Sequence, residues 1–123
     1  MTFIAIIEII IKIGVGFSIL NVWLINRDKS TIYRGGNAVS MQEEFVAYGL
    51  SKNVMIFVGT SKCICAVLLL ISIVYPLAEF IGALGIAVLM GGAILMHIKI
   101  NDPAKKSIPA AIFLVLSLAV LFI

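Results

Sequence analysis

Four long apolar runs dominate the sequence, and their length constrains the fold more than any other feature. A helix needs about 20 mainly apolar residues to cross a bilayer. The chain has 63% hydrophobic and only 12% charged residues, with a mean hydropathy of +1.22, whereas a soluble domain has roughly 45–50% and about 25%. The sequence therefore predicts four membrane-spanning helices, over residues 3–24, 53–75, 77–100 and 104–123.

The arrangement of these spans follows from backbone hydrogen bonding. Lipid offers no partner to an exposed backbone group, so only helices and closed barrels can cross it. The runs are too long and unbroken for barrel strands. Short connections then favour an all-α membrane protein, an antiparallel bundle of four transmembrane helices in a single domain over residues 1–123. The first run carries Glu8 and lacks the basic start of a signal peptide, so we expect it to be retained as a span.

A polar segment between the first two spans carries a narrow apolar stripe. Met41, Phe45 and Tyr48 recur at the spacing of one helix face, and "SMQE" at 40–43 is typical of a capping box at a helix start. The sequence predicts a short amphipathic helix over 40–50. It lies either on the headgroup boundary, as an anchor, or over the mouth between the spans, as a lid.

The distribution of basic residues predicts the orientation of the bundle. Four spans place both termini on one side of the membrane, and the first and third loops on the other. All basic residues except Lys12 and Lys62 fall in or beside these two loops. The positive-inside rule therefore places loops 1 and 3 in the cytoplasm and both termini outside. The basic residues form no long run, so we expect the lipid bilayer, and no nucleic acid, as a partner. The basic residues in or beside the two loops are Arg27, Lys29, Arg34, Lys52, Lys99, Lys105 and Lys106.

Three ionisable residues fall deep inside apolar runs: Glu8, Lys12 and Lys62. An isolated charge at the centre of a span costs at least roughly 2.5–3.5 kcal/mol, so partners are expected. Glu8 and Lys12 share one helix face, and Lys62 on the antiparallel neighbour is predicted to reach Glu8. Such a cluster would either fix the register between two spans or bind a ligand or proton, unless the side chains snorkel to the interface instead.

The remaining polar residues indicate no catalytic or metal site. His97, Asp102 and Arg34 are expected at one level near the cytoplasmic side, where a lone histidine is usually a hydrogen-bonding partner. A metal site needs more ligands than this sequence supplies. Cys63 and Cys65 lie two residues apart in a helix and point away from each other, so they are predicted to be small apolar fillers. Neither a nucleophile–base motif nor a phosphate-binding loop stands out, and an enzyme acting alone is not expected.

The order of these features resembles the DoxX-like family of small four-span membrane proteins. The resemblance rests on several short motifs spread over about residues 34–110. It implies a four-helix bundle in the prokaryotic cell (inner) membrane. Some members are membrane subunits of thiosulfate:quinone oxidoreductase, and others are linked to membrane redox complexes. The motifs are "RGG" at 34–36, "MQEEFVAYGLS" at 41–51, Gly59, "GALGIAVLMGGA" at 82–93, His97 and "NDPAKKSIPA" at 101–110.

The resemblance implies a set of signature residues: Arg34, Met41, Phe45, Tyr48, Gly49, His97, Asp102 and Pro103. Six of them are expected at the mouth of the bundle: Arg34, Met41, Phe45, Tyr48, His97 and Asp102. Lys62 departs from the pattern, because the family often has an acidic residue near this position.

Three functions remain open from the sequence. The first is a non-enzymatic membrane subunit that docks a redox protein or holds a quinone or lipid in the bundle. The second is a small proton-coupled transporter of the small multidrug resistance type, suggested by the chain length, the four spans and the membrane-embedded Glu8. Transporters of that type act as homo-oligomers, so this hypothesis implies a second copy of the chain as a partner. The third is a structural or assembly factor whose buried charges only specify helix packing.

Overall fold

The computed structural model describes residues 2–123, which form five helices and no strand. Four of the helices are long and apolar enough to cross a membrane, and a short one lies between the first two. The predicted fold class is confirmed. The helices are α1 (Phe3–Leu24), α2 (Met41–Ala47), α3 (Lys52–Ile71), α4 (Glu79–Lys99) and α5 (Ile108–Phe122), with short 3-10 turns at Pro76–Ala78 and Ala104–Ser107.

Helix α3 ends at Ile71, four residues before the end expected from the apolar run. The hydroxyl of Ser72 donates to the carbonyl of Leu69 at 2.5 Å. The next two backbone N–H groups, of Ile73 and Val74, bond three residues back rather than four. This tightening ends the helix. A hydropathy pattern does not register it, because the turn residues are themselves apolar.

The four long helices form a square arrangement. Helix α1 packs against α3 and α5, and α4 packs against the same two helices, so α1 and α4 lie at opposite corners. The approach of α3 to α4 is closest at Gly82, where an added Cβ would lie 2.8 Å from the backbone nitrogen of Leu69. Only glycine permits this distance, and it fixes how α3 and α4 meet.

Apolar side chains point both into the bundle and out of it. Phe57, Phe80 and Val88 are 71%, 64% and 66% exposed, as expected for helices whose outer faces contact lipid. The chain is therefore an integral membrane protein. The interior is filled by branched and small residues, among them Val15, Ile19, Ala66, Leu69, Ala83, Ile86 and Val120.

Candidate functional site

The structure divides the predicted cluster of buried charges. Lys12 is buried and its Nζ lies 3.2 Å from Glu8 Oε1, as expected for this pair. Its closer partner is Glu79 Oε1, at 2.9 Å, and the ammonium also reaches the carbonyl of Ser72 at 3.5 Å. Because Glu79 is the first residue of α4, this group links α1 to α4 across the diagonal of the bundle.

Lys62 does not belong to this group, and the prediction that it reaches Glu8 was wrong. Its Nζ lies 5.5 Å from the ring centroid of Trp23. Trp23 is eleven residues beyond Lys12, or roughly 16 Å along the helix. The register between α1 and α3 is set by the Trp23 ring, which packs so closely on Gly59 that a Cβ there would collide with it.

No ion pair joins Lys62 to a carboxylate anywhere in residues 2–123. The face of the Trp23 ring is its identified partner. A cation over an aromatic face gains about 0.5–2 kcal/mol, which offsets only part of the cost of placing an ammonium group within a span. Lys62 thus keeps an unused capacity to donate hydrogen bonds.

Helix α2 lies across one end of the bundle with its apolar stripe turned inward. The hydroxyl of Ser40 accepts a hydrogen bond from the N–H of Glu43 and begins the helix. Met41, Phe45 and Tyr48 are all more than nine-tenths buried. Of the two predicted placements, this is the lid and not the interfacial anchor, since an anchor would turn these side chains toward lipid.

Two aromatic contacts seat α2 on the bundle. The ring of Phe45 meets that of Trp23 edge-to-face at 6.1 Å. The ring of Tyr48, the residue after α2, meets that of His97 on α4 edge-to-face at 5.7 Å. Gly35 lies flat against Tyr48, because a Cβ at Gly35 would come within 2.6 Å of the ring. Trp23 is only 7% exposed, so it is a packing residue of the interior.

A chain of polar contacts runs beneath α2 from the first loop to the third. Arg34 Nη1 lies 3.0 Å from Glu44 Oε2, and Glu44 Oε1 accepts a 2.6 Å hydrogen bond from the Tyr48 hydroxyl. That hydroxyl lies 3.4 Å from Nε2 of His97. Nδ1 of His97 is 2.7 Å from Oδ2 of Asp102. These contacts join α2 to α4 and to both loops.

Asp102 also connects this series of polar contacts to the first loop. The N–H of Gly36 donates to Asp102 Oδ1 at 3.1 Å, and Lys106 donates to the Gly36 carbonyl. Gly36 adopts a left-handed conformation with φ of 56°, which glycine tolerates best. The "RGG" and "NDP" motifs are thus two sides of one contact.

Arg34 organises the first loop in addition to pairing with Glu44. Its guanidinium donates to the carbonyls of Asn26, Arg27 and Lys29 at 3.3, 2.9 and 2.9 Å. The side chain is only 7% exposed. A planar fork of five donors suits this task, which lysine could not perform.

The acidities of two groups at this end follow from their surroundings. Burial opposes the ionisation of Asp102, but hydrogen bonds from His97 and Gly36 and the nearby Lys106 hold its pKa below its ordinary value of 3.8. Burial, together with the Glu44 carboxylate, raises the pKa of Tyr48 well above its ordinary value. Near neutral pH, Asp102 is therefore an ionised acceptor and Tyr48 an intact hydroxyl.

Between α2 and the long helices lies a cavity of about 720 Å³. Its walls are mainly apolar, and this volume lies in the range of small-molecule sites. The residues that line it include Trp23, Tyr48, Lys62, Gly92, His97 and Phe113.

The structure brings together all six residues expected at the mouth, while the role of each stays a prediction. Sequence reasoning missed Glu44, Glu79 and Gly92. Glu44 lies four residues before Tyr48, a spacing that could have indicated their contact. Within residues 2–123, no group of three or more His, Cys, Asp or Glu residues could hold a metal ion, and both cysteines are free. The six mouth residues are Arg34, Met41, Phe45, Tyr48, His97 and Asp102.

Comparison with known proteins agrees with this arrangement. The sequence profile of the DoxX-like family matches residues 33–120, a range that begins beside Arg34 and includes α2, α3, α4 and most of α5. No curated protein and no solved structure matches the chain. The matched range covers well over half of the sequence and all of the polar chain beneath α2, and on this basis the protein belongs to the DoxX-like family.

Proposed function

We propose that this protein is a non-enzymatic membrane subunit that binds an apolar small molecule, of the quinone or lipid class, in the cavity beneath α2. One observation carries the proposal: Lys62 lines an apolar cavity of about 720 Å³ and has no carboxylate partner in the described chain. A cationic donor in such surroundings favours a carbonyl, carboxylate or phosphate oxygen of a ligand.

The shape of the cavity supports a ligand that is dissolved in the membrane. Val22 and Val88 line the cavity and are 38% and 66% exposed. The edge of the cavity therefore lies at the lipid-facing surface, while α2 covers the end that faces the loops. The ligand enters sideways from the bilayer, with its oxygen-bearing end directed to Lys62.

The test compares molecules that copurify with the wild type and with three variants. Gly92 lines the cavity, and a Cβ there meets nothing within 4 Å, so Gly92→Leu fills the cavity without a clash. Gly91 is equally open but is not part of the cavity wall, so Gly91→Leu is the matched control. Lys62→Met removes the polar anchor.

Mass spectrometry of protein purified in mild detergent gives the readout. We expect one compound, bound in near-stoichiometric amounts to the wild type and to Gly91→Leu, and lost from Gly92→Leu. Removing one charge-assisted hydrogen bond costs about 1.5–3 kcal/mol, so Lys62→Met should retain roughly a tenth or less at subsaturating ligand. Equal recovery from all four proteins would refute binding in this cavity.

We also propose that the end of the bundle covered by α2 faces the cytoplasm of a prokaryotic cell, with both termini outside. The support is the concentration of Lys and Arg in the first and third loops. Reporter fusions test it: alkaline phosphatase fused after Ile123 should be active and a fluorescent protein dark. The opposite pattern would reverse the orientation.

This orientation gives a redox protein a basic surface to approach. Arg27, Lys29, Lys52, Lys99 and Lys105 are exposed around α2, and a cluster of one sign attracts a partner of the opposite sign. A soluble partner with an acidic face would dock here, above the cavity. Copurification that weakens when these five residues are changed to glutamine would support such docking.

A proton-coupled transporter of the small multidrug resistance type is less well supported. Such a transporter needs a carboxylate that binds cations and protons alternately. Glu8 already has Lys12 at 3.2 Å, and Lys12 also holds Glu79. An assembly role fits these ion pairs, yet it gives no use to the cavity or to Lys62.

A further inference from the structure

The side chain of His97 is 5% exposed and lines the cavity, and its two ring nitrogens differ in their surroundings. Nδ1 lies 2.7 Å from the carboxylate of Asp102. A carboxylate only accepts hydrogen bonds, and the lowered pKa of Asp102 keeps it ionised near neutral pH. Nδ1 must therefore carry a hydrogen, and in a neutral imidazole Nε2 is then the acceptor.

Among residues 2–123, Nε2 has no good donor. Its one polar neighbour there is the Tyr48 hydroxyl, at 3.4 Å, well beyond the usual distance of about 2.9 Å. The hydrogen of that hydroxyl is directed to Glu44, at 2.6 Å. A buried acceptor left without a donor is costly, so a donor from the cavity would be favoured here.

In the described part of the chain, the charged groups around His97 form no hydrogen bond with Nε2. Arg34 pairs with Glu44, and Lys106 lies near Asp102 and Gly36. Lys99, on the same helix as His97, donates to the carbonyl of Tyr48 at 2.9 Å. Lys62, on α3, faces the ring of Trp23. None of these donors forms a hydrogen bond with Nε2 among residues 2–123.

We propose that Nε2 of His97 accepts a hydrogen bond from the ligand, so that the molecule in the cavity carries a hydroxyl group, whose oxygen can also accept a hydrogen bond from Lys62. This inference rests on the proposed function and narrows its ligand class. The ligand is an apolar molecule with a protic head, such as a long-chain phenol or alcohol. Asp102 is a positioning residue, since it acts only by holding Nδ1 of the ring.

Two probes that differ in one hydrogen-bond donor test the proposal. They are 4-heptylphenol and its methyl ether, 4-heptylanisole, which have the same apolar tail and ring. Trp23 is the only tryptophan in the chain and lines the cavity, so its fluorescence reports binding. The wild type should bind the phenol about tenfold more tightly than the ether, as expected for one buried hydrogen bond.

Two variants separate His97 from Lys62. In His97→Asn, the side-chain amide can still donate to Asp102 in place of Nδ1, but Nε2 is gone, so the preference for the phenol should fall below twofold. Lys62→Met should weaken both probes and keep the tenfold preference, because both probes carry an oxygen acceptor.

The outcomes distinguish this inference from the proposed function. Equal affinity of the two probes for the wild type, with both lost in Gly92→Leu, overturns the role of His97 and leaves the cavity as a binding site. Binding that Gly92→Leu does not change, or no binding at all, overturns both.

A second readout does not depend on the folding of any variant. His97 is the only histidine, so nitrogen NMR of protein labelled at histidine resolves its two ring nitrogens alone. The signal of Nε2 should shift when the phenol is added and stay unchanged with the ether. An Nε2 that already carries a hydrogen in the wild type near neutral pH overturns the inference.

Discussion

Lys12 and Lys62 are two lysines within membrane spans, and their charges are compensated in different ways. Lys12 lies between two carboxylates, Glu8 and Glu79, and completes a link between opposite corners of the bundle. Lys62 has an aromatic face beside it and a cavity in front of it. The first environment is that of a structural ion pair. The second is the environment that the proposed ligand site requires.

This difference predicts opposite effects of the same substitution. Lys12→Met leaves Glu8 and Glu79 facing each other without a cation and should cost roughly 2–3 kcal/mol of unfolding free energy, less than for a fully buried pair because both carboxylates are partly exposed. Lys62→Met leaves no carboxylate behind and should be neutral or slightly stabilising. Thermal unfolding in detergent measures both. A larger loss from Lys62→Met than from Lys12→Met would contradict this assignment.

Asp102 gives the polar network beneath α2 a defined dependence on pH. Its pKa is lower in the folded protein than its ordinary value of 3.8, so its contribution to stability is fully present above about pH 4 and is lost as the pH falls through the folded pKa. Asp102→Asn should cost about 1.5–3 kcal/mol at neutral pH.

Unfolding curves at several pH values check this dependence. The difference between the wild type and Asp102→Asn should be constant from neutral pH down to about pH 5 and should shrink below about pH 4. A difference that stays the same down to about pH 2 would mean that the carboxylate is not stabilised in the folded protein.

Among the elements, α4 is the one whose two ends are packed most differently. Gly82 meets the backbone of α3, whereas a Cβ at Gly92, which lines the cavity, would meet nothing within 4 Å. The close approach therefore occurs at the end beside Lys12 and Glu79, and the space opens at the end beneath α2. This divergence of α3 and α4 accounts for a cavity in an otherwise filled bundle.

Two alanine substitutions in α4 test this divergence. Gly82→Ala places a Cβ 2.8 Å from the backbone of Leu69, which cannot move aside as a side chain would, and should cost about 1–3 kcal/mol. Gly92→Ala places a Cβ that meets nothing within 4 Å and should stabilise the helix by up to about 1 kcal/mol. Unfolding measurements in detergent give the change in unfolding free energy for each variant. Similar effects of the two substitutions would contradict the close contact.

The elements could be predicted from the sequence because apolar length alone marks a span, and the capping residues mark α2. The partners between elements could not. Each span is apolar on all sides, so hydropathy does not tell which faces meet or at what register. The positions of Gly59 against Trp23 and of Gly82 against Leu69 fix the register, and they place Lys62 beside Trp23 and Lys12 beside Glu79. The mouth residues were found because sequence motifs mark them directly.

For the whole molecule, the two ends of the bundle are packed differently. One end is closed by the ion pairs of Lys12 and by the approach of α3 to α4. The other is covered by α2 and the two loops, which are held together by the contacts from Arg34 to Asp102. The cavity lies at this second end, beneath α2.

The central claim, that the cavity beside Lys62 holds a small molecule, is tested most directly by an experimental density map of the protein extracted together with its native lipids. We expect continuous density that does not belong to the protein in the space between Trp23, Lys62 and Gly92, with one end within hydrogen-bonding distance of Lys62 Nζ. A cavity filled by the protein's own side chains, with Lys62 paired to Glu44, would contradict the account.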